Sequence, residues 1–231
     1  MGLFSKETPL DMQLVKESMF KRVAYVGLER CDLIVALVNV AVKAGLKVAV
    51  ADNSVTHDLF GIYYNEEDDD DDIIDRGNLC IIKNAVLDES NHGFDLVVMY
   101  LGANEPIEVE SDIMFLMTDA QRANIRAVRE YLLTPYMKRM VVYRDQSSDF
   151  SVTDMAHFLG FDKSYQMSTV KYDRKEAEAY AKLTRQPRAK FTLAMASSSS
   201  LFFEMCRMVF GEKLTDKQVT GLIRKGVSFE L

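Results

Sequence analysis

The chain has 231 residues, of which 48% are hydrophobic and 27% charged, and its formal net charge is −7 with a pI near 5.1. This length and composition indicate a globular protein with a sizeable core. The acidic balance argues against direct binding of nucleic acid, since proteins that bind a phosphate backbone normally present a basic face.

The first residues, Met1 to Lys6, contain no apolar stretch of the length that a signal peptide needs and no membrane-anchoring motif. Cys31, Cys80 and Cys206 are far apart and have no CxxC or histidine clustering, so neither a disulfide framework nor a zinc site is predicted. We therefore expect a cytoplasmic protein without a stable membrane anchor or a metal site.

Seven short apolar runs predict strands of a parallel sheet, because nearly continuous apolar runs indicate burial on both faces. In chain order they are Val23 to Val26, Lys47 to Ala51, Leu79 to Ile82, Leu96 to Leu101, Asp112 to Met117, Arg139 to Tyr143 and Met167 to Val170. Helices are predicted at Asp32 to Ala44, Ala120 to Leu133, Ser151 to Leu159, Arg174 to Leu183, Ser198 to Phe210 and Thr215 to Arg224. The alternation predicts a doubly wound α/β fold in a single domain. Its core spans about 20–210, after a short lead at 1–19, and its C-terminal helices span about 198–225.

Local signals refine this outline. Gly45 is placed to end the first helix, and Ser151 with Asp154 three residues later is typical of a capping box. The seven consecutive acids from Glu66 to Asp72 indicate a solvated loop, with a docking site for a basic partner or a cation-binding segment as the alternative.

The stretch from Val23 to Asp52 reads as strand, tight turn, helix, Gly and second strand, and it resembles the MinD/ParA class of P-loop ATPases with a deviant Walker A motif. That family reads like "ALNLAAALAKRGKRVLLVD" where this chain has Ile34 to Asp52. Phe94 to Gly102 is similar to the family's Walker B segment, "YDYVIIDTP". Lys138 to Arg144 resembles a strand ending in "N-R/K", and Val170 to Asp173 resembles "I-P-Y-D". The resemblance covers about residues 20–210 and implies a P-loop NTPase-like fold.

Departures from the family pattern fall on the positions that carry its chemistry. Where the family has the loop "KGGxGKTT", this chain has Gly27 to Asp32, which is a few residues shorter. Arg30 takes the position of the family's principal Lys. Asp32 stands where a hydroxyl would ligate magnesium; an N-cap role is the favoured alternative to cation binding. The carboxylates of Glu29 and Asp32 in this loop would repel the phosphates of a nucleotide.

Two further positions bear on the implied site. Tyr100 replaces the Walker B carboxylate, and Tyr143 replaces an Asn that the family uses near adenine. Asp52 matches the family's switch Asp, although a polar residue that simply ends a strand is an equal alternative. The degenerate nucleotide site that the resemblance implies therefore consists of Gly27, Arg30, Asp32, Asp52 and Tyr100, with no catalytic residue.

These departures favour a pseudo-ATPase over an enzyme. The resemblance implies a binding or positioning module with protein partners, in polar localisation, pilus or secretion assembly, conjugation or partition machinery, and a homodimer across the nucleotide face. No cofactor is expected. One alternative is a divergent ATP-binding protein or weak ATPase, in which Arg30 replaces the Lys and ATP or ADP binds with magnesium. The other is an unrelated Rossmann-like or receiver-like interaction domain, which the strand order would distinguish.

Overall fold

The computed structural model describes residues 21–64, 72–85, 93–104, 110–132, 138–146, 150–161, 167–185, 198–211 and 214–224. The strands in this part of the chain are β1 Lys21–Gly27, β2 Val48–Asp52, β3 Ile73–Asp75, β4 Leu79–Lys83, β5 Leu96–Gly102, β6 Ile113–Thr118, β7 Lys138–Gln146 and β8 Ser168–Lys171. The helices are α1 Asp32–Lys43, α2 Asp58–Tyr63, α3 Arg122–Leu132, α4 Val152–Leu159, α5 Arg174–Arg185, α6 Ser199–Phe210 and α7 Asp216–Arg224.

All eight of these strands form one sheet in the order β3-β4-β2-β5-β1-β6-β7-β8. Neighbouring strands are parallel except β3 and β4, which are antiparallel. Receiver-like and dinucleotide-binding Rossmann sheets place the first strand beside the second. Here β5 lies between β1 and β2, so the topology excludes both of those arrangements.

Helices cover the sheet on both faces. Side chains alternate along β1, so that Val23 and Tyr25 join one apolar layer with helices α1, α6 and α7, while Ala24 and Val26 join another with α3 and α4. The central strands are apolar throughout because both of their faces are buried. The prediction of a doubly wound, mostly parallel sheet flanked by helices is confirmed.

The seven predicted strands and six predicted helices are all present, with ends that differ by a few residues. Gly45 has φ +81 and ends α1 as predicted, with its N–H bonded to the Val42 carbonyl oxygen. The capping box of Ser151 and Asp154 is also confirmed. Two elements, α2 and β3, were not predicted, because six and three residues are too short to display a hydrophobic period.

Several predictions fall on other parts of the chain. The lead at 1–19 and residues 66–71 of the acidic run lie outside the described residues. Asp72, the last residue of that run, forms an ion pair with Lys83 at 3.6 Å. None of the helices among the described residues is long and apolar enough to cross a membrane.

Candidate functional site

The candidate site lies where the parallel strands end at their carboxyl edge. The central strand β1 has β5 on one side and β6 on the other, and the chain leaves it through a short loop, residues 28–31, that leads into α1. Open α/β sheets bind their ligands in the crevice outside the carboxyl ends of such strands. All five residues of the predicted nucleotide site lie along this edge or directly beneath the loop.

Gly27 allows the chain to leave β1 in close contact with β6. Its φ is +102, and a Cβ added there would lie 2.0 Å from the Met117 carbonyl oxygen and 2.8 Å from the Val128 side chain. The next residue, Leu28, donates its N–H to the same Met117 oxygen at 2.8 Å. Glycine is therefore required here by packing and backbone conformation.

Glu29 places its carboxylate among backbone and hydroxyl donors at the ends of β2 and β5. Its Oε1 accepts the Ala103 N–H at 2.9 Å and the Val55 N–H at 3.5 Å, and its Oε2 accepts the Thr56 hydroxyl at 3.4 Å. A Cβ added at Gly102 would lie 2.0 Å from the Glu29 Oε1. A side-chain carboxylate thus fills the space among these donors.

Asp32 is engaged by two buried arginines. Arg144, at the carboxyl end of β7, donates from Nη1 to Oδ1 at 2.7 Å and from Nη2 to Oδ2 at 3.0 Å, while Arg30 donates from Nε to Oδ2 at 2.9 Å. The interpretation of Asp32 as an N-cap is wrong. Cys31 occupies the N-cap position and makes no side-chain capping bond. The Asp32 oxygens accept from the guanidinium groups and from the N–H of the next residue, Leu33.

The charged groups of this cluster shift each other's pKa values. Burial alone would raise the pKa of the Asp32 carboxyl, but the charge and hydrogen bonds of Arg144, together with the charge of Arg30, hold that pKa below its ordinary value. Burial would lower the pKa of Arg144, and Asp32 more than reverses this effect, so that the pKa is raised. Both groups are therefore charged at neutral pH and form a buried ion pair.

Arg30 has further partners on its outer side. Its Nη1 donates to Asp145 Oδ1 at 3.3 Å and Oδ2 at 3.1 Å, and its guanidinium carbon lies 5.5 Å from the centre of the Tyr180 ring. Asp145 has φ +54 within a register shift between β7 and β8. Irregularities of this kind redirect side chains at the ends of strands.

The cluster continues into the C-terminal helices. Arg144 Nη2 donates to the Ser198 hydroxyl at 3.4 Å, and Glu176 of α5 accepts the Ser198 N–H at 3.0 Å as well as its hydroxyl. Arg144, Ser198 and Glu176 are all buried. The predicted helix start at Ser198 is confirmed, although its hydroxyl takes part in this network and makes no capping bond.

Asp52 is fully buried, and both of its carboxylate oxygens are used within the chain. Oδ1 accepts the N–H of Ser54 at 3.1 Å and its hydroxyl at 2.6 Å, while Oδ2 accepts the Phe60 N–H at 2.8 Å. His57 Nδ1 lies 3.8 Å from Oδ1 and 3.1 Å from the Asp52 carbonyl oxygen. Asp52 therefore shapes the turn that leads from β2 into α2.

Two tyrosines lie beneath the loop. Tyr25 and Tyr100 are paired across β1 and β5, with ring centres 5.6 Å apart in an edge-to-face arrangement. The Tyr25 hydroxyl donates to the Arg30 carbonyl oxygen at 3.4 Å, and the Tyr100 hydroxyl donates to the Leu28 carbonyl oxygen at 3.5 Å. Burial raises the pKa of both phenols, so they remain neutral donors.

Cys31 and α5 close the outer side of the loop. The Cys31 Sγ lies 3.8 Å from the Tyr180 hydroxyl, which donates to Asp58 Oδ2 at 3.0 Å. Burial raises the pKa of the Cys31 thiol well above its ordinary value. Among the residues that the structure describes, no group of three or more His, Cys, Asp or Glu side chains is arranged to hold a metal ion.

Sequence reasoning missed two residues that connect this site to other elements, Arg144 at the end of β7 and Glu176 of α5. It did not assign Arg144 as the partner of Asp32, or Glu176 as the partner of Ser198. A signal for Arg144 was available, because a carboxylate that is buried together with an apolar helix needs a charged partner, and Arg144 lies near the end of an apolar strand.

The strand order, with the loop after the central strand at the carboxyl edge, is that of a P-loop NTPase-like fold of the kind seen in MinD/ParA proteins. Among solved structures, the MinD cell division protein of Aquifex aeolicus is similar with a TM-score of 0.54 and 12% identity, over 85% of this chain and 99% of that one. At this identity the likeness shows the fold alone.

Two weaker structural similarities accompany this one. The MinC–MinD cell division complex of Aquifex aeolicus has a TM-score of 0.44 and 11% identity, covering 87% of this chain and 96% of that one. A protein assigned to plasmid partition in Borrelia burgdorferi, bound to AMPPNP, has a TM-score of 0.41 and 10% identity, over 89% and 99% of the two chains. No family model and no curated protein matches the sequence.

Proposed function

We propose that this chain is a non-catalytic module of MinD/ParA-like fold that works by binding other proteins, in localisation, pilus or secretion, conjugation or partition machinery. The observation that carries the proposal is the Glu29 carboxylate, which fills the space among the Ala103, Val55 and Thr56 donors. An incoming phosphate would meet a negative charge where it needs donors.

The residues around the loop do not fit ATP with magnesium. Asp32 already accepts three hydrogen bonds from Arg30 and Arg144, so a cation would have to displace a guanidinium to reach it. Phosphoryl transfer depends almost entirely on positioning and electrostatic stabilisation. Tyr100 stands where the family has a carboxylate, and because burial raises its pKa, its phenol stays neutral and supplies no negative charge for a magnesium site.

The alternative of a weak ATPase assigns phosphate binding to Arg30. The contacts of that side chain argue against it, because its Nε and Nη1 donate to Asp32 and Asp145 and its guanidinium lies over Tyr180. Only its Nη2 has no hydrogen-bond partner among the described residues, so a bidentate phosphate contact would also need Nε or Nη1 and would displace either Asp32, which is buried, or Asp145. That exchange costs free energy.

A second copy of the chain is the partner that we propose for the strand-end face. Val55, on the turn after β2, is 68% exposed, and Tyr172, directly after β8, is 59% exposed. Both therefore lie at the carboxyl edge, where the family resemblance implies a dimer. Burial of large exposed side chains such as these stabilises protein interfaces.

Light scattering after size-exclusion chromatography, with and without ATP and magnesium, tests this proposal together with a phosphate-release assay. We expect a dimer whose mass does not depend on nucleotide, and no phosphate release. Val55→Asp and Tyr172→Asp should shift the protein towards monomer, whereas Phe158→Asp, which alters an exposed aromatic residue of α4, should not. A nucleotide-dependent dimer, or hydrolysis that is lost in Arg30→Ala, would favour the ATPase alternative.

A further inference from the structure

A groove of about 650 Å³ lies between α3 and α4, on the helical layer that covers one face of the sheet. Three arginines of α3 line it, Arg122, Arg126 and Arg129, opposite the aromatic rings of Phe150 and Phe158. Ile125 contributes an apolar floor. No contact described for the strand-end site involves these residues, so the groove is a separate feature of the molecule.

The three arginines form one basic strip. Their spacing of four and then three residues places them on the same face of α3, and all three are exposed. Their guanidinium groups make no hydrogen bond or ion pair with another residue in the part of the chain that the structure describes. This differs from the candidate site, where Arg30 and Arg144 are both engaged by Asp32.

The opposite wall of the groove is aromatic. The rings of Phe150 and Phe158 are 5.6 Å apart, and the Phe150 ring packs edge to face on Tyr143 at 6.1 Å. Phe158 is 54% exposed, one of three large hydrophobic side chains among the described residues of which more than half is exposed. A large apolar side chain that lines a groove in this way is typical of an interaction site.

We propose that this groove binds an acidic segment of a partner protein that carries an apolar anchor residue. Carboxylates of the segment pair with Arg122, Arg126 and Arg129, and the anchor packs against Phe150 and Phe158. Arginine forks bind carboxylates bidentately, and arginine with aromatic side chains is enriched in protein interfaces. The net charge of −7 opposes an acidic ligand at long range, and the three arginines provide attraction locally, at the groove.

The observations favour a peptide over a nucleic acid. Glu130 lines the same groove and would oppose a chain that carries a phosphate at every nucleotide. A peptide can place its acids beside the arginines and an uncharged residue beside Glu130. The proposal does not depend on the closed nucleotide site, because no residue is shared between the two.

Fluorescence anisotropy with a labelled synthetic peptide, in which Glu and Asp flank a central Phe and Leu, tests the proposal directly. We expect saturable binding below about 1 mM peptide that weakens as salt is added. Arg126→Ala and Phe158→Ala should each weaken it about tenfold. Arg174→Ala removes an exposed arginine of α5, serves as the matched control and should bind like the wild type. Far-UV circular dichroism checks that each variant is folded.

Several outcomes would overturn the proposal. These are absence of binding, equal binding of a peptide with Asn and Gln in place of the acids, or an equal loss in Arg174→Ala. Preferential binding of a single-stranded oligonucleotide would identify a nucleic-acid groove instead. Self-association that is lost in Arg126→Ala but not in Val55→Asp would assign the groove to a second copy of the chain.

Discussion

Arg144 and Asp32 form a bidentate ion pair, with Nη1–Oδ1 and Nη2–Oδ2 distances of 2.7 and 3.0 Å, although 112 residues separate them in the sequence. The pair joins the start of α1 to the end of β7 beneath the helices of one face. Both side chains are almost fully buried. Each buried charge is therefore stabilised by the other in place of water, and the pair in turn stabilises the loop at the head of the crevice.

Removing one charge of this pair should be costly. In Asp32→Asn, Arg144 and Arg30 remain buried without their carboxylate, and we expect a loss of about 3–5 kcal/mol in the free energy of unfolding. Asp145→Asn, which alters the more exposed partner of Arg30, should cost about 1 kcal/mol or less. Urea denaturation of the two variants and the wild type measures both values. Equal losses in the two variants would contradict the assignment of Asp32 as the centre of the cluster.

The ionisation of Asp32 gives a second test. Because its pKa in the folded protein lies below the ordinary value of 3.8, the pair stabilises the fold above that pH, and this stabilisation is lost as the pH falls through the folded pKa. Carboxyl carbon NMR of the folded protein should show Asp32 still ionised at pH values where an ordinary Asp is half protonated. Titration at or above the ordinary value would mean that desolvation outweighs the arginines.

Replacement of Gly27 and of Gly61 by Ala should have different effects on stability, and each variant serves as the control for the other. Gly27→Ala places a methyl group 2.0 Å from the Met117 carbonyl oxygen at a φ of +102, so we expect a loss of at least about 1–3 kcal/mol from backbone strain alone. Gly61 lies in α2, where an added Cβ would have no neighbouring atom within 4 Å, and Gly61→Ala should be neutral or stabilise by up to about 1 kcal/mol. Thermal and urea denaturation distinguish them. A tolerated Gly27→Ala would contradict the close contact between the loop and β6.

The three thiols should differ in reactivity. Cys31 and Cys206 are buried, whereas Cys80 is half-buried, and burial raises the pKa of the Cys31 thiol well above its ordinary value. Under native conditions a maleimide should label Cys80 first and should reach Cys31 only when the loop or the whole domain opens. Mass spectrometry of digested samples follows each site over time. Labelling of Cys31 as fast as Cys80 would indicate that α5 does not close over the loop.

Much of the fold was predictable because its strands are buried on both faces. Runs such as Leu96 to Leu101 and Asp112 to Met117 are apolar throughout, and the helices between strands carry clear caps at Gly45 and Ser151. The strand order was a different matter, since a sequence places elements along the chain and not beside one another. No strand order was predicted from the sequence, and the structure supplies it.

The sequence indicated which candidate residues lie together at the strand ends, but not the contacts that they make. The five predicted residues lie together at one edge of the sheet, because parallel strands bring their carboxyl ends together. Their partners could not be derived from local pattern. Asp32 reads as a helix cap when only its neighbours are considered, and its actual partner Arg144 is brought to it by packing of β7. Glu29 likewise gains its donors from the turns after β2 and β5.

Isothermal titration of the wild-type protein with ATP and ADP, with and without magnesium, tests the central proposal most directly. If Glu29 and the Asp32 cluster close the strand-end site, no saturable binding should appear up to about 1 mM nucleotide. Magnesium-dependent binding with a Kd below about 100 µM would contradict a closed site, and would direct attention to Arg30, Asp32 and Asp52 as residues of a working nucleotide site.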